Sequence, residues 1–336
     1  MKIAILGAGF SGLATCWHLL QYKTTDYPIE IVVFDPKGIG GGTSGIAAGL
    51  LHPFAGAHAK YNLWGREGMQ ATQRLLDIAS TALKQPVAQY TGMLRLATTK
   101  ELHDDYLQCS LINPDVTWIA SGKCPEYAPQ AVPHDGILIK EGISVYSGLY
   151  LQGLWLACEN KGAKLEKIAC ENLESLNDYD VIVVATGAGT MQFPELRHLP
   201  INTVKGQIIE YAWSSNVLPL SIPLNALGYV VMSPALTSCY AGSTYERDYQ
   251  TEGPDLQAAL NEIIPKVAPM LPSITTSKVL DCRAGMRATT RSRLPICKQV
   301  TTKCWVIAGM GSRGLLYHAL MGETLARDIM NSKGLR

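Results

Sequence analysis

The sequence has almost no net charge, no long apolar run and no paired cysteine motif. Lys and Arg number 29 against 28 Asp and Glu, so the formal net charge is +1, which leaves only local contacts to RNA. No run of about 18 apolar residues occurs, so no transmembrane helix is expected. The nine cysteines form no C-x-x-C pair, which argues against a disulfide framework or a zinc site. We therefore expect a cytoplasmic protein with neither a metal nor a membrane partner.

What the sequence does contain is an apolar, glycine-rich background. Of its 336 residues, 47% are hydrophobic and 31 are glycines. This composition suits a buried α/β core, in one large domain or in two interwoven ones. Two strand–glycine–helix turns stand out, one near each end of the chain.

The N-terminal turn, G-A-G-F-S-G, follows the apolar strand I-A-I-L and precedes a helical pattern. Gly7 permits the tight turn, Gly9 lets a pyrophosphate approach the backbone, and Gly12 lets the helix pack against the strand. The helix start at Phe10 and Ser11 faces the anion. The turn therefore predicts a dinucleotide site in a Rossmann-type domain, with a purely structural glycine turn as the alternative.

Two features after this turn bear on which dinucleotide is bound. Asp35 ends the next strand at the offset of the acid that hydrogen-bonds the adenosine ribose, although it could also be only a turn residue. A second glycine-rich loop at 38–53 offers the hydroxyls of Thr43 and Ser44. A loop of such small residues suits a cofactor longer than NAD and favours FAD, with a surface loop as the alternative.

The middle of the chain continues the nucleotide domain and then changes character. The apolar strand at 181–185 is closed by Thr186 and Gly187, which predicts a buried parallel strand whose carboxyl end meets the cofactor. Ser147 is expected to cap the start of a helix that precedes this strand. Between about 200 and 295, alternating and β-branched strands predict an antiparallel sheet, with a helix that Pro265 interrupts.

The second glycine turn lies between the strand C-W-V-I-A-G and a final helix. At such a helix start the N–H groups carry partial positive charge and suit the flavin N1/O2 edge, where negative charge accumulates on reduction. The two turns would then bind opposite ends of one FAD molecule, and a plain structural turn is the alternative. The residues predicted to bind cofactor here are Gly311, Ser312, Arg313, Gly314 and Leu315.

The motifs along the chain resemble, in the same order, those of the D-amino-acid/glycine oxidase superfamily of FAD enzymes. The resemblance spans nearly the whole chain and is carried by T-S-G-I-A-A-G, V-V-A-T-G-A-G, V-K-G-Q, Y-A-G-S-T-Y-E-R-D, R-A-G-M-R-A-T-T-R-S-R-L-P-I and G-M-G-S-R-G-L-L. The last two look most like the FAD-dependent domain of the bifunctional enzymes that make 5-methylaminomethyl-2-thiouridine in tRNA. No partner methyltransferase domain is expected within these 336 residues, and the loop S-G-I-A-A-G-L-L-H-P is less polar than in those enzymes.

The resemblance implies an α/β fold with two interwoven domains. A discontinuous FAD-binding Rossmann-type domain is expected at 1–85, 145–200 and 300–336. An α+β substrate domain built on an antiparallel sheet is expected at 86–144 and 201–299.

The resemblance also implies oxidation of a C–N bond next to a carboxylate, by hydride transfer to flavin. Arg287 matches a carboxylate clamp, because a guanidinium forks onto both carboxylate oxygens, and Tyr229 matches a phenol that hydrogen-bonds the same carboxylate. Arg313 is expected to bind substrate or to balance charge on the reduced ring, and His52 to lie over the flavin. The alternatives are a salt bridge or a surface position for the two arginines, core packing for Tyr229 and a structural role for His52. A local basic cluster surrounds the clamp: Arg283, Arg291 and Arg293.

Three functions remain open at this stage. The first is oxidation of an N-carboxymethyl amine, either as a small molecule or on the wobble uridine of tRNA. The second is an oxidase of free glycine, sarcosine or D-amino acids. The third is a flavin-binding protein without catalysis.

Overall fold

The computed structural model describes residues 1–54, 56 and 58–335. The helices are α1 Phe10–Leu20, α2 Gly65–Leu83, α3 Lys100–Ile112, α4 Cys124–Tyr127, α5 Ser147–Asn160, α6 Leu256–Val267 and α7 Gly314–Ser332. The first nine strands are β1 Lys2–Leu6, β2 Glu30–Phe34, β3 Leu50–Leu51, β4 Ala88–Gln89, β5 Met93–Leu96, β6 Val116–Ile119, β7 Gly136–Ile139, β8 Ile143–Val145 and β9 Lys164–Glu166. The remaining strands are β10 Val181–Val184, β11 Ile201–Ala212, β12 Leu224–Asn225, β13 Tyr229–Met232, β14 Ser238–Gly242, β15 Val279–Thr290, β16 Ile296–Gln299 and β17 Cys304–Ala308.

Strand β1 lies inside a six-stranded sheet with the order β16-β17-β10-β1-β2-β9. The pairs are parallel except at the β16 edge. Ile3 and Ile5 pack in one apolar cluster with α1, α2, α5 and α7, whereas Ala4 and Leu6 pack in another on the opposite face. Both faces are therefore covered, which explains why β1 is apolar throughout. This sheet confirms the predicted Rossmann-type fold.

The second large sheet has the order β15-β11-β14-β13-β12-β5-β7-β6 and is antiparallel except for the β12–β5 pair. It confirms the antiparallel sheet predicted between 200 and 295. Opposed residues share a face, and Arg287 opposes Val204 while Tyr229 and Ile208 both oppose Gly242. Arg287 and Tyr229 therefore lie on one face of the sheet. Alternate residues such as Ile209 pack with α6 in a third apolar cluster.

Two local expectations about helices are wrong. Ser147 does not cap α5, because it is already the first helical residue and the N-cap position falls on Tyr146. Pro265 does not interrupt α6, which continues to Val267 and ends there. The division into two domains stays a prediction, and its boundary at 299 would fall between β16 and β17, which pair with each other.

No helix within the described residues is both long enough and apolar enough to cross a membrane. Across the same residues, no group of three or more His, Cys, Asp or Glu side chains is arranged to hold a metal ion.

Helix α2 should contribute strongly to stability, because its apolar face is part of the core beside the first sheet. Leu75 is 0% exposed there, whereas Leu111 on α3 is 70% exposed. We expect Leu75→Ala to lower the free energy of unfolding by about 2–5 kcal/mol. Leu111→Ala should change it by less than about 0.5 kcal/mol. Denaturant titration measures both, and equal losses would contradict this placement of α2.

Candidate active site

The first glycine turn is built so that backbone segments touch. A Cβ at Gly7 would lie 2.5 Å from the Ala185 carbonyl oxygen, and a Cβ at Gly12 would lie 1.9 Å from the Gly7 oxygen. Gly7 also has φ +104°, which favours glycine. Gly9, at the N-cap position of α1, makes no side-chain cap. The N-terminus of α1 thus stands at the carboxyl end of β1; the Phe10 N–H donates to Ser44 Oγ, and the next N–H groups of the first turn suit a pyrophosphate.

Asp35 is held beside this turn by two backbone hydrogen bonds. Its carboxylate accepts from Ala8 N at 2.8 Å and from Lys37 N at 2.9 Å. Each carboxylate oxygen keeps a further lone pair with which to accept from a ribose hydroxyl. The acid therefore serves as a turn residue and fits the predicted ribose role as well. Thr186 and Gly187 follow β10 directly, next to the Gly7 contact with Ala185.

The second glycine-rich loop makes contacts with both the first turn and β15. Ser44 Oγ accepts from Phe10 N at 3.2 Å, and Thr43 Oγ1 donates to the Met286 carbonyl at 2.8 Å. A Cβ at Gly285 would come within 3 Å of both Ile46 and Thr43. The loop therefore packs directly on the strand that carries Arg287, rather than standing free on the surface.

The second glycine turn lies against the first one. A 3-10 turn at Gly311–Arg313 leads into α7, whose start has no side-chain cap. A Cβ at Gly314 would lie 3.7 Å from the Phe10 ring, so the residues at the two helix starts are neighbours. Leu315 is buried beneath the turn, whereas Ser312 is exposed.

A buried hydrogen-bonded pair fixes this arrangement. Tyr150 Oη lies 2.6 Å from His318 Nε2, and His318 Nδ1 lies 3.0 Å from the Gly314 carbonyl. The His318 ring is also 5.2 Å from the Phe10 ring. Burial lowers the pKa of His318 to about 4, so the ring is neutral. A proton on Nδ1 then satisfies both contacts, with Tyr150 donating to Nε2 and Nδ1–H donating to the α7 backbone.

Arg287 crosses β11 to reach the end of β14. Its Nη1 donates to the Thr244 carbonyl and its Nη2 to Ser243 Oγ, both at 3.0 Å. A Cβ at Gly206 would lie 2.1 Å from Arg287 Cζ, so the guanidinium lies flat over the strand only because residue 206 is glycine. These bonds use two of the five N–H donors of the guanidinium, and the other three can serve a carboxylate.

Tyr229 joins Arg287 at this point. A Cβ at Gly242 would lie 2.5 Å from Tyr229 Oη, so a second glycine makes room for the phenol. Burial raises the pKa of Tyr229 to about 12, while Arg287 and Ser243 act in the opposite direction. The phenol is therefore a neutral hydrogen-bond donor at neutral pH. We call Arg287, Tyr229 and Ser243 the carboxylate site.

His52 lies near Arg95, and Arg313 is bonded to Arg293. His52 is buried, and burial together with the charge of Arg95 lowers its pKa to about 3, which makes it a neutral ring. Arg95 donates to the carbonyls of Phe54 and Gly56 at 2.7 Å and holds the loop that carries His52. Arg313 Nη1 donates to the Arg293 carbonyl at 3.0 Å. Within the described residues, neither side chain makes a hydrogen bond to the carboxylate site.

A family model described as DAO, FAD dependent oxidoreductase, matches residues 2–327. The chain belongs to this family. It is an FAD-dependent oxidoreductase. The membership confirms the superfamily resemblance and the FAD prediction. The starts of α1 and α7, with Asp35 bonded to Ala8 beside the first, fit that cofactor.

Relatives with curated descriptions include bifunctional proteins. The tRNA 5-methylaminomethyl-2-thiouridine biosynthesis bifunctional protein MnmC of Maricaulis maris is 25% identical over 345 residues, covering 98% of this chain and 52% of that protein. The MnmC protein of Legionella pneumophila (strain Lens) is 30% identical over 263 residues, covering 68% of this chain and 35% of that protein. The chain thus spans about half, or less, of the length of these relatives.

Solved structures share the fold at low sequence identity. Glycine oxidase from Geobacillus kaustophilus has a TM-score of 0.83 and 20% identity, covering 100% of this chain and 95% of that one. Iminodiacetate oxidase from Chelativorans sp. BNC1 has a TM-score of 0.79 and 19% identity, covering 98% and 95%. These similarities confirm the fold class.

Sequence reasoning missed the residues that support the carboxylate site. Ser243 and Thr244 belong to the quoted motif Y-A-G-S-T-Y-E-R-D, and Gly206 to V-K-G-Q, yet none was assigned a role. A glycine between polar residues inside a strand pattern is a signal of close approach. Such a signal could have singled out Gly206, but not the arginine that lies over it.

The buried histidines predict a pH dependence of stability. His318 and His18 have pKa values lowered by burial to about 4, against 6.5 in an unfolded chain. Between these values the unfolded chain binds more protons, so the free energy of unfolding should fall as pH falls from 6.5 to 4. The slope is about 1.4 kcal/mol per pH unit for each such histidine.

We expect His318→Gln to make this dependence shallower by one histidine's share. The exposed His198 serves as the control, since His198→Gln should leave the slope unchanged. Urea unfolding at a series of pH values measures the slope. An identical slope in His318→Gln and the unaltered protein would contradict the buried neutral state.

Gly206→Ala should damage the carboxylate site without emptying the FAD site. The new Cβ would displace the Arg287 guanidinium, so a carboxylate ligand should bind more weakly by about 1–3 kcal/mol. Titration of the flavin absorbance with acetate or glycolate measures this loss. Gly253→Ala, where no atom lies within 4 Å of the added Cβ, is the control. Equal ligand affinity in both variants would count against the contact.

Proposed function

We propose that this oxidoreductase acts on glycine-like amines, which carry an N-carboxymethyl group, and breaks the C–N bond of that group. Bound FAD would accept the hydride from the carbon between nitrogen and carboxylate. Water then hydrolyses the resulting imine and releases glyoxylate and the shortened amine. The observation that carries this proposal is the convergence of Arg287, Tyr229 and Ser243 on two glycines of the antiparallel sheet.

The carboxylate site supplies charge and direction together. Burial lowers the pKa of Arg287, but an arginine keeps its charge at neutral pH. Its fork can bind both carboxylate oxygens, and the Tyr229 phenol can donate to one of them. Because Thr244 and Ser243 hold the other guanidinium edge, the substrate meets donors that are already oriented. Arg313 and His52 stay candidates for substrate contact in the proposed site.

Two substrate classes are supported by different observations. The similarity to MnmC proteins over 98% of the chain favours the N-carboxymethyl group on the tRNA wobble uridine. The fold shared with glycine oxidase and iminodiacetate oxidase supports small free amines as the second candidate. Both classes present the same carboxylate to Arg287. With the tRNA substrate we also propose a cytoplasmic location for the protein.

Anaerobic titration of the FAD-bound protein tests the function directly. We expect N-carboxymethyl amines to bleach the flavin absorbance and to release glyoxylate in equal amount. Glycine, N-methylglycine, iminodiacetate, a D-amino acid and tRNA carrying the modified uridine are compared. If none of them reduces the flavin, oxidation of glycine-like amines is excluded and a non-catalytic flavin protein is favoured.

Arg287→Ala should weaken binding of carboxylate substrates and inhibitors by about 2–5 kcal/mol, because it removes one partner of a buried charge pair. Arg197→Ala, at an exposed site on another segment, is the control. The dissociation constant of a carboxylate inhibitor is read from the flavin spectrum. An unchanged constant in Arg287→Ala removes this residue from the site.

A further inference from the structure

The segment S-T-Y-E-R-D at 243–248 contains more than the acceptors of Arg287. It follows β14 and is held to β11 by paired backbone bonds. Thr244 N donates to the Gln207 carbonyl at 3.1 Å, and Lys205 and Glu246 exchange two bonds of 2.9 Å. The backbone on either side of Tyr245 is therefore fixed.

In addition to these backbone bonds, side chains on the face of β11 opposite to Gly206 hold the segment in place. Gln207 Nε2 donates to Glu246 Oε1 at 2.9 Å, and Lys205 Nζ lies 3.8 Å from Glu246 Oε2. Lys205 and Gln207 are buried. Buried polar groups of this kind hold a backbone in one conformation when they are satisfied. The segment is a rigid support and not a mobile loop.

Tyr245 projects from this support into solvent. Its ring is 48% exposed, while its backbone N donates to Glu262 Oε1 at 3.0 Å. The Arg247 guanidinium lies 5.9 Å from the ring centroid, and Arg247 is itself exposed. A large aromatic ring contributes to folding by being buried. A ring that is kept exposed on fixed backbone, with a cation beside it, suits a ligand better than the core.

This exposed pair adjoins the carboxylate site. The Thr244 carbonyl that accepts from Arg287 belongs to the residue immediately before Tyr245. The remainder of an amine whose carboxymethyl group is bound to Arg287 would therefore extend from a point one residue along the chain from Tyr245. Aromatic rings stack on nucleobases, with a contribution from a neighbouring arginine. A guanidinium also binds phosphate.

We propose that Tyr245 and Arg247 bind the part of the substrate beyond its carboxymethylamine group, and that this part is a planar base carrying phosphate. The inference rests on the proposed function and assigns its specificity to these two residues. Arg287 recognises the carboxylate that all glycine-like amines share. Tyr245 and Arg247 distinguish a nucleotide-borne amine from a free one.

The test compares two substrates of the FAD-bound protein. These are 5-carboxymethylaminomethyluridine 5′-monophosphate and N-methylglycine, and kcat/KM is measured for each. In Tyr245→Leu the ratio of the two kcat/KM values, nucleotide over N-methylglycine, should fall roughly tenfold or more through lost stacking. Tyr245→Phe should restore the ratio, because it retains the ring. Arg247→Ala should lower the ratio for the monophosphate more than for the corresponding nucleoside.

Matched controls separate this role from a structural one. Tyr90 is 55% exposed and Arg197 is also exposed, so Tyr90→Leu and Arg197→Ala should leave the ratio unchanged. A parallel loss for both substrates in Tyr245→Leu indicates a structural role and overturns the inference, as does an unchanged ratio. Both results leave the proposed function standing.

A separate measurement covers failure of the proposed function itself. If neither substrate reduces the flavin of the unaltered protein, calorimetric titration with uridine 5′-monophosphate still tests the pair. Binding to the unaltered protein that is lost in Tyr245→Leu supports the inference. Absence of binding, or equal binding to both proteins, overturns it.

Discussion

The whole site depends on the contact between the starts of α1 and α7. These helices begin about 300 residues apart in sequence, yet the Phe10 ring meets both Gly314 and the His318 ring. Tyr150 completes the contact by hydrogen-bonding His318. Two helix N-termini placed side by side concentrate partial positive charge where the anionic cofactor is predicted to bind. A neutral histidine suits this position, since a cation there would be both buried and unpaired.

The antiparallel sheet contributes a surface on which three residues are glycines and have no side chain. Gly206, Gly242 and Gly285 would each bring a Cβ within 3 Å of a neighbouring side chain. The space that a side chain would fill at these glycines is occupied by three groups: the Arg287 guanidinium, the Tyr229 phenol and the loop at 43–46. The second glycine-rich loop therefore contacts Gly285 and Met286 of β15, directly before Arg287 of the carboxylate site. In the proposed site, a substrate carboxylate would thus lie on the strand that also contacts the second glycine-rich loop.

The sequence predicted those features of the fold that are encoded over a few neighbouring residues, because the glycine turns and the strands of the sheet have local patterns. The family resemblance supplied Arg287 and Tyr229, whose roles stay predictions. Prediction from the sequence failed where the reason lies in distant chain segments. Ser147 has the composition of a cap, but the path of the chain from β8 places Tyr146 at that position. The setting of His52 depends on Arg95, which comes from another strand and had no local signal.

The motif V-K-G-Q shows how one strand serves two faces. Side chains alternate along β11, so Gly206 lies under Arg287 while Lys205 and Gln207 point to the α6 side and hold Glu246. The glycine at 206 makes room for the Arg287 guanidinium, and the polar side chains at 205 and 207 hold the segment whose Ser243 and Thr244 orient it. The proposed carboxylate recognition and the rigidity of this segment thus depend on the same strand. Because the segment also carries Tyr245 and Arg247, the substrate choice proposed for these two residues can change without altering the proposed clamp.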